Sequence, residues 1–102
     1  MAKTKVIKDF TAGFNKSFEQ NAGVSNIIIS NVTTVSVKAS VKVTIPNRKT
    51  GSDEEAFIVK DAVIPVGTAL LALTNQLIQT ADGNIEVSTD TTGGIEVVYT
   101  AL

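Results

Sequence analysis

VSVKASVKVTI, residues 35–45, places Val35, Val37, Ala39, Val41, Val43 and Ile45 at odd positions and Ser36, Lys38, Ser40, Lys42 and Thr44 at even ones. Successive side chains of a strand point to opposite faces. The stretch therefore predicts a long strand with one apolar and one solvated face, stopped by Pro46. Its neighbours repeat the theme. VSNIIISN (24–31) predicts a buried strand closed by Asn31, and AFIVKDAVIP (56–65) a strand that bends or changes partner near Lys60 and Asp61. IPVGT is a turn in which Pro65 fixes φ and Gly67 supplies a permissive backbone. ALLALTNQLIQ (69–79) reads as short strands in preference to a helix, and Asp82-Gly83 as a tight hairpin turn. IEVSTD then points Ile85, Val87 and Thr89 inward, TTGG turns the chain, and IEVVYTAL puts Ile95, Val97, Tyr99 and Ala101 on one face.

About seven short strands joined by turns predict an all-β protein, an antiparallel β-sandwich of jelly-roll or immunoglobulin-like topology. The 102 residues suffice for one core without staples. Residues 24–102 form the predicted sandwich domain. Residues 1–23 read as an N-terminal arm, extended or helical, because Phe10, Phe14 and Phe18 recur every four residues among poor helix formers such as Gly13 and Asn15. PNRKTGSDEE (46–55) reads as the one long polar loop, its tip suited to partner contact.

Chemistry is sparse. The chain has no histidine and no cysteine, which removes the commonest general base, the thiolate nucleophile and cysteine-bound zinc. Asp53, Glu54 and Glu55 read as a solvated loop, and Asp82, Asn84 and Glu86 as a turn lacking the other ligands of a calcium loop. GTALLAL holds no phosphate-cradling pattern. Asn15-Lys16-Ser17 and Asn31-Val32-Thr33 match the glycosylation tripeptide, but the opening MAKTKVIKDF lacks the apolar block of a secretory signal. No apolar run approaches the roughly 20 residues of a membrane helix. A net charge of −1 and few aromatics disfavour a nucleic-acid module. The expectation is a non-enzymatic protein without cofactor or metal, with neither nucleic acid nor membrane as partner.

Charge is segregated along the chain. Through Lys60 there are nine basic and five acidic residues, net +4; after it there are five acidic and no basic ones, net −5. Two accounts follow: cross-strand pairing of Lys38 and Lys42 with Glu86 or Glu96 inside one sandwich, or basic and acidic flanks that meet between subunits and weaken with salt. The second makes Phe10, Phe14, Phe18, Lys38, Lys42, Arg48, Lys49, Glu86, Asp90 and Glu96 the candidate interface residues, the three phenylalanines reading as core or subunit-interface anchors in preference to a ligand platform.

FIVKDAVIPVGTALLAL followed by QLIQTADGNIEVSTDTTGGIEVVYTAL, residues 57–102, resembles small β-rich virion proteins of tailed bacteriophages. In those proteins a strand ending in Ile-Pro, a small-residue turn, an apolar strand, an acidic glycine hairpin and a closing valine-rich strand follow one another. The chain departs from them in its leucine-rich strand and in Ala81-Asp82-Gly83. The resemblance implies a structural role as capsid decoration or as a neck or tail accessory. Its partners would be itself, as a homo-oligomer, and other virion proteins; it would be made in the host cytoplasm and end in the virion. A receptor- or glycan-binding β-module is the alternative.

Overall fold

Strand-forming runs bounded by turns become eight strands in the computed structural model, which describes residues 2–19, 23–47, 49–78 and 83–102. They are β1 (Lys3–Ile7), β2 (Lys16–Ser17), β3 (Val24–Asn31), β4 (Val37–Asn47), β5 (Ser52–Ile64), β6 (Ala69–Ile78), β7 (Asn84–Thr89) and β8 (Ile95–Ala101). One four-stranded sheet runs β1-β8-β3-β6 and the other β2-β7-β4-β5, all neighbours antiparallel. The first strand pairs with the last, the second with the seventh, the third with the sixth and the fourth with the fifth. The chain is thus a ribbon doubled at the β4–β5 turn and rolled into two layers. That nesting is the jelly-roll order, and it decides between the two expected sandwich topologies.

Alternation sets which side chains fill the space between the layers. Ile85, Val87 and Thr89 of β7, and Ile95, Val97, Tyr99 and Ala101 of β8, are all buried, as their spacing predicts. In the opening stretch only Val37, Ala39 and Val41 are buried; Val35 and Ile45 are exposed. The reason is overhang. β7 pairs with β4 only as far as Thr44, so Ile45–Asn47 and their partners Ser52–Glu54 continue as a two-stranded extension beyond the second layer.

Three expectations are corrected. Pro46 does not end the strand: it pairs opposite Asp53 where β4 has a neighbour on one side only, a position that tolerates a missing N–H. The supposed loop 46–55 is mostly hairpin, and Glu54 and Glu55 lie in β5. Asp82 lies outside the described residues; β6 and β7 themselves belong to different sheets and do not pair with each other. The bend near Lys60 and Asp61 is present. Both residues lie opposite Ser40, and Asp61 takes the left-handed conformation at φ 49°, pinned by N–H donation to Ser40 Oγ at 2.9 Å. The Pro65–Gly67 turn forms as read, with Gly67 at φ 73°.

The first residues are no separate arm. β1 forms an edge of one sheet and β2 an edge of the other, and Phe10 and Phe18 enter the common core. Phe18 meets Tyr99 edge to face at 4.7 Å, while the Tyr99 hydroxyl accepts the Glu19 N–H at 2.9 Å.

Asn31 ties the two layers. Its buried amide donates to the carbonyls of Val35 at 2.8 Å and Ile64 at 2.9 Å, and its oxygen accepts from the N–H and hydroxyl of Thr33, each at 2.8 Å. The Asn-Val-Thr spacing is therefore a closed hydrogen-bond knot. Asn31→Ala should deprive the Ile64 carbonyl and the Thr33 N–H of their side-chain partner, while the Val35 carbonyl keeps the Thr33 hydroxyl, and cost about 1–3 kcal/mol in urea unfolding. Asn31→Asp should rescue little, because a carboxylate cannot donate to either carbonyl.

Candidate functional site

Two outer faces remain once the core is filled, and their chemistry differs. On the β1 sheet the register aligns Val6 with Val98, Val98 with Ile28, and Ile28 with Leu71. One aliphatic row thus crosses all four strands, about 14 Å at a strand spacing near 4.8 Å. Leu71 is 61% exposed and Val6 56%. On one side of it lies a row of Thr4, Thr100, Ser25 and Leu77, and on the other Glu96, Ser30 and Ala69. Glu96 is the charged residue of these three rows. Solvated sandwich faces ordinarily alternate polar side chains outward, and this face departs from that in carrying an aliphatic row with little charge around it.

The outer face of the β2 sheet is built from charge. Phe57, Lys42, Glu86 and Ser17 stand side by side on β5, β4, β7 and β2. Lys42 lies 3.5 Å from Glu55 and 3.9 Å from Glu86. In the adjacent row Ser40 faces Ser88, with Lys60 and Asp61 on the bulge beside them. Two small serines ringed by long side chains leave a depression of about 260 Å³, with Asn15 on its rim. Phe57 remains 48% exposed, with the Lys60 ammonium 5.1 Å from its ring centroid.

Asn15 also borders a second recess, which holds Phe14. Phe14 is 68% exposed at the end of a turn in which its N–H donates to Thr11. That turn is held from three directions: Gly13 N–H donates to Thr89, Ala12 N–H to the Thr92 hydroxyl, and Gly93 N–H to Phe10. Gly13, at φ 79°, takes the positive φ the turn requires.

The candidate interface residues do not come together. Phe10 and Phe18 are in the core, and only Phe14 of the three faces solvent. Spacing of four misleads here because this segment is strand and turn, with no helical face. Lys42 and Glu86 pair with each other, which is the intrachain account of the charge segregation. Glu96 lies on the opposite sheet's outer face and cannot meet Lys38 or Lys42. Asp90 caps β4: its carboxylate accepts the Lys38 N–H at 2.9 Å, and this hydrogen bond, aided by the Thr91 hydroxyl, holds its pKa below the ordinary carboxylate range. Lys49 is exposed in the β4–β5 turn, and Arg48 lies outside the described residues.

Sequence reading passed over Val6, Ile28, Leu71 and Val98 because no one strand displays the row, which exists only across a register. Phe57 was passed over because a phenylalanine in a β-rich run reads as core, and the bend read at Lys60 and Asp61 does not by itself say which way Phe57 faces. Among the described residues no three aspartate or glutamate side chains gather as a metal site would need. Comparison with known proteins finds no matching family model, no matching curated protein and no matching solved structure.

Proposed function

We propose that the chain is a non-enzymatic structural component of a tailed-phage virion, acting by subunit assembly as capsid decoration or as a neck or tail accessory. The observation that carries this reading is the aliphatic row on the outer face of the β1 sheet, Val6, Val98, Ile28 and Leu71. The resemblance of residues 57–102 to small phage virion proteins supports it, and the jelly-roll order supports it by analogy, since viral capsid domains use that architecture.

The row also supports a mode of assembly. Lys42, Glu55 and Glu86 are compensated within one chain, so contact between subunits rests on apolar burial instead of on meeting flanks of opposite charge. A four-strand face offers roughly 400–500 Å² on one subunit, below the ~800 Å² per partner of a standard stable interface. Single contacts are then weak, and a repeated array supplies strength through avidity.

Sedimentation velocity and binding to phage particles test this. Association should persist between about 0.05 and 0.5 M salt, because screening does not weaken apolar contact. Leu71→Asp should abolish it while changing stability by less than about 1 kcal/mol, the side chain being exposed. A wild-type chain that is monomeric and ignores phage particles would remove the reading.

A further inference from the structure

We propose that the depression on the outer face of the β2 sheet is a carbohydrate site that takes one neutral pyranose residue of an oligosaccharide. The proposal does not rest on the assembly surface, which lies on the other side of the molecule.

A pyranose has an apolar C–H face and a rim of hydroxyls that both donate and accept. Its complement is an aromatic surface beside a mixed set of polar groups, and the depression has both. Phe57 presents a half-exposed ring, one of the two phenylalanines left outside the core, with the Lys60 ammonium 5.1 Å from its centroid. Around it stand carboxylate acceptors on Asp61 and Glu86, the ammonium donor of Lys60, the amide of Asn15 and the floor hydroxyls of Ser40 and Ser88.

Shape and charge narrow the ligand class. The volume of about 260 Å³ lies just under the roughly 300–1,000 Å³ of drug-sized pockets, which fits a sugar ring and not a dinucleotide. The lining holds Lys42 and Lys60 against Asp61 and Glu86, and Glu55 pairs with Lys42 beside it, so an anionic ligand finds no surplus of positive charge there. The recess also has a local cause that core packing does not need. β5 bulges at Lys60–Asp61, a non-glycine residue is held at φ 49°, and Ser40 both accepts the Asp61 N–H and donates to its carboxylate. A bulge of this kind re-aims side chains on a strand, here toward the recess.

The test is a titration of the isotopically labelled full chain, followed by amide NMR, with methyl α-glucoside, methyl α-mannoside, methyl β-galactoside and N-acetylglucosamine. Sialyllactose serves as the anionic arm. At least one neutral sugar should shift Phe57, Lys60, Asp61 and Glu86 with Kd of about 1 mM, the affinity about a dozen ligand heavy atoms supply at ordinary efficiency. Phe57→Ala should weaken it at least tenfold. Should that variant unfold, Ser88→Tyr, which fills the floor from the solvent side, should abolish binding with the fold intact. Leu71→Asp should leave the titration unchanged, which separates this site from assembly. The idea fails if no neutral sugar shifts these amides, if shifts map to the other sheet, or if sialyllactose alone binds and salt releases it.

Discussion

Deleting residues 1–19 should leave a chain that no longer folds cooperatively. The deletion removes β1 and β2, an edge of each sheet, and takes Phe10 and Phe18 out of the core. Truncating one buried phenylalanine to alanine costs about 3–5 kcal/mol, so losing both costs roughly 6–10 kcal/mol before any strand pairing is counted. Domains of this size are stable by about 5–15 kcal/mol in all. Urea titration by circular dichroism should show no sigmoidal transition for the truncated chain, whereas Phe10→Ala should retain one at a lower midpoint. A truncated chain that still melts cooperatively would restore the independent arm that the spacing of phenylalanines suggests.

Val41→Asp is the second large effect. Val41 is fully buried, opposite Val59 on one side and Val87 on the other. A carboxylate there has no partner, and the cost of about 4 kcal/mol or more approaches the whole stability of the domain. Burial raises the folded-state pKa of such a group above its unfolded value, so the penalty is full at neutral pH and shrinks as pH falls toward the raised value. Lys38→Ala, three residues away on the solvated face, should change stability by less than about 0.5 kcal/mol. Equal effects from the two would show the inward register to be wrong. Ser40→Asp is no neutral control, because Ser40 already holds Asp61 and a second carboxylate would repel it.

Strand identity and facing were legible wherever period-two alternation ran unbroken, as in Ile85–Thr89 and Ile95–Ala101, since each inward position is fixed by its neighbours two residues away. Pairing was not. Nothing local in Val6 states that it will lie beside Val98, so the apolar row could not be read from any one strand. The opening segment escaped for another reason: Gly13 and Asn15 break any period, and two of three phenylalanines are buried by a turn that crosses between layers. At 46–55, turn-forming residues outweighed the pairing that actually extends to Asn47 and Ser52.

The pairing of β1 with β8 bears on how the molecule comes into being. Lys3 lies opposite Ala101, so this edge of the sandwich closes only after Ala101 has left the ribosome. Of the nested ladders, β4 with β5 is the local one, and it is available early during synthesis. Each ladder outside it encloses a longer loop and adds to the entropy of closure. Such high contact order places folding in the millisecond-to-second range, with β3 and β6 exposing Ile27–Ile29 and Leu70–Leu73 in the interval. A nascent chain rich in unpaired apolar strand is where chaperones act, and here that exposure lasts until the two ends of the ribbon meet.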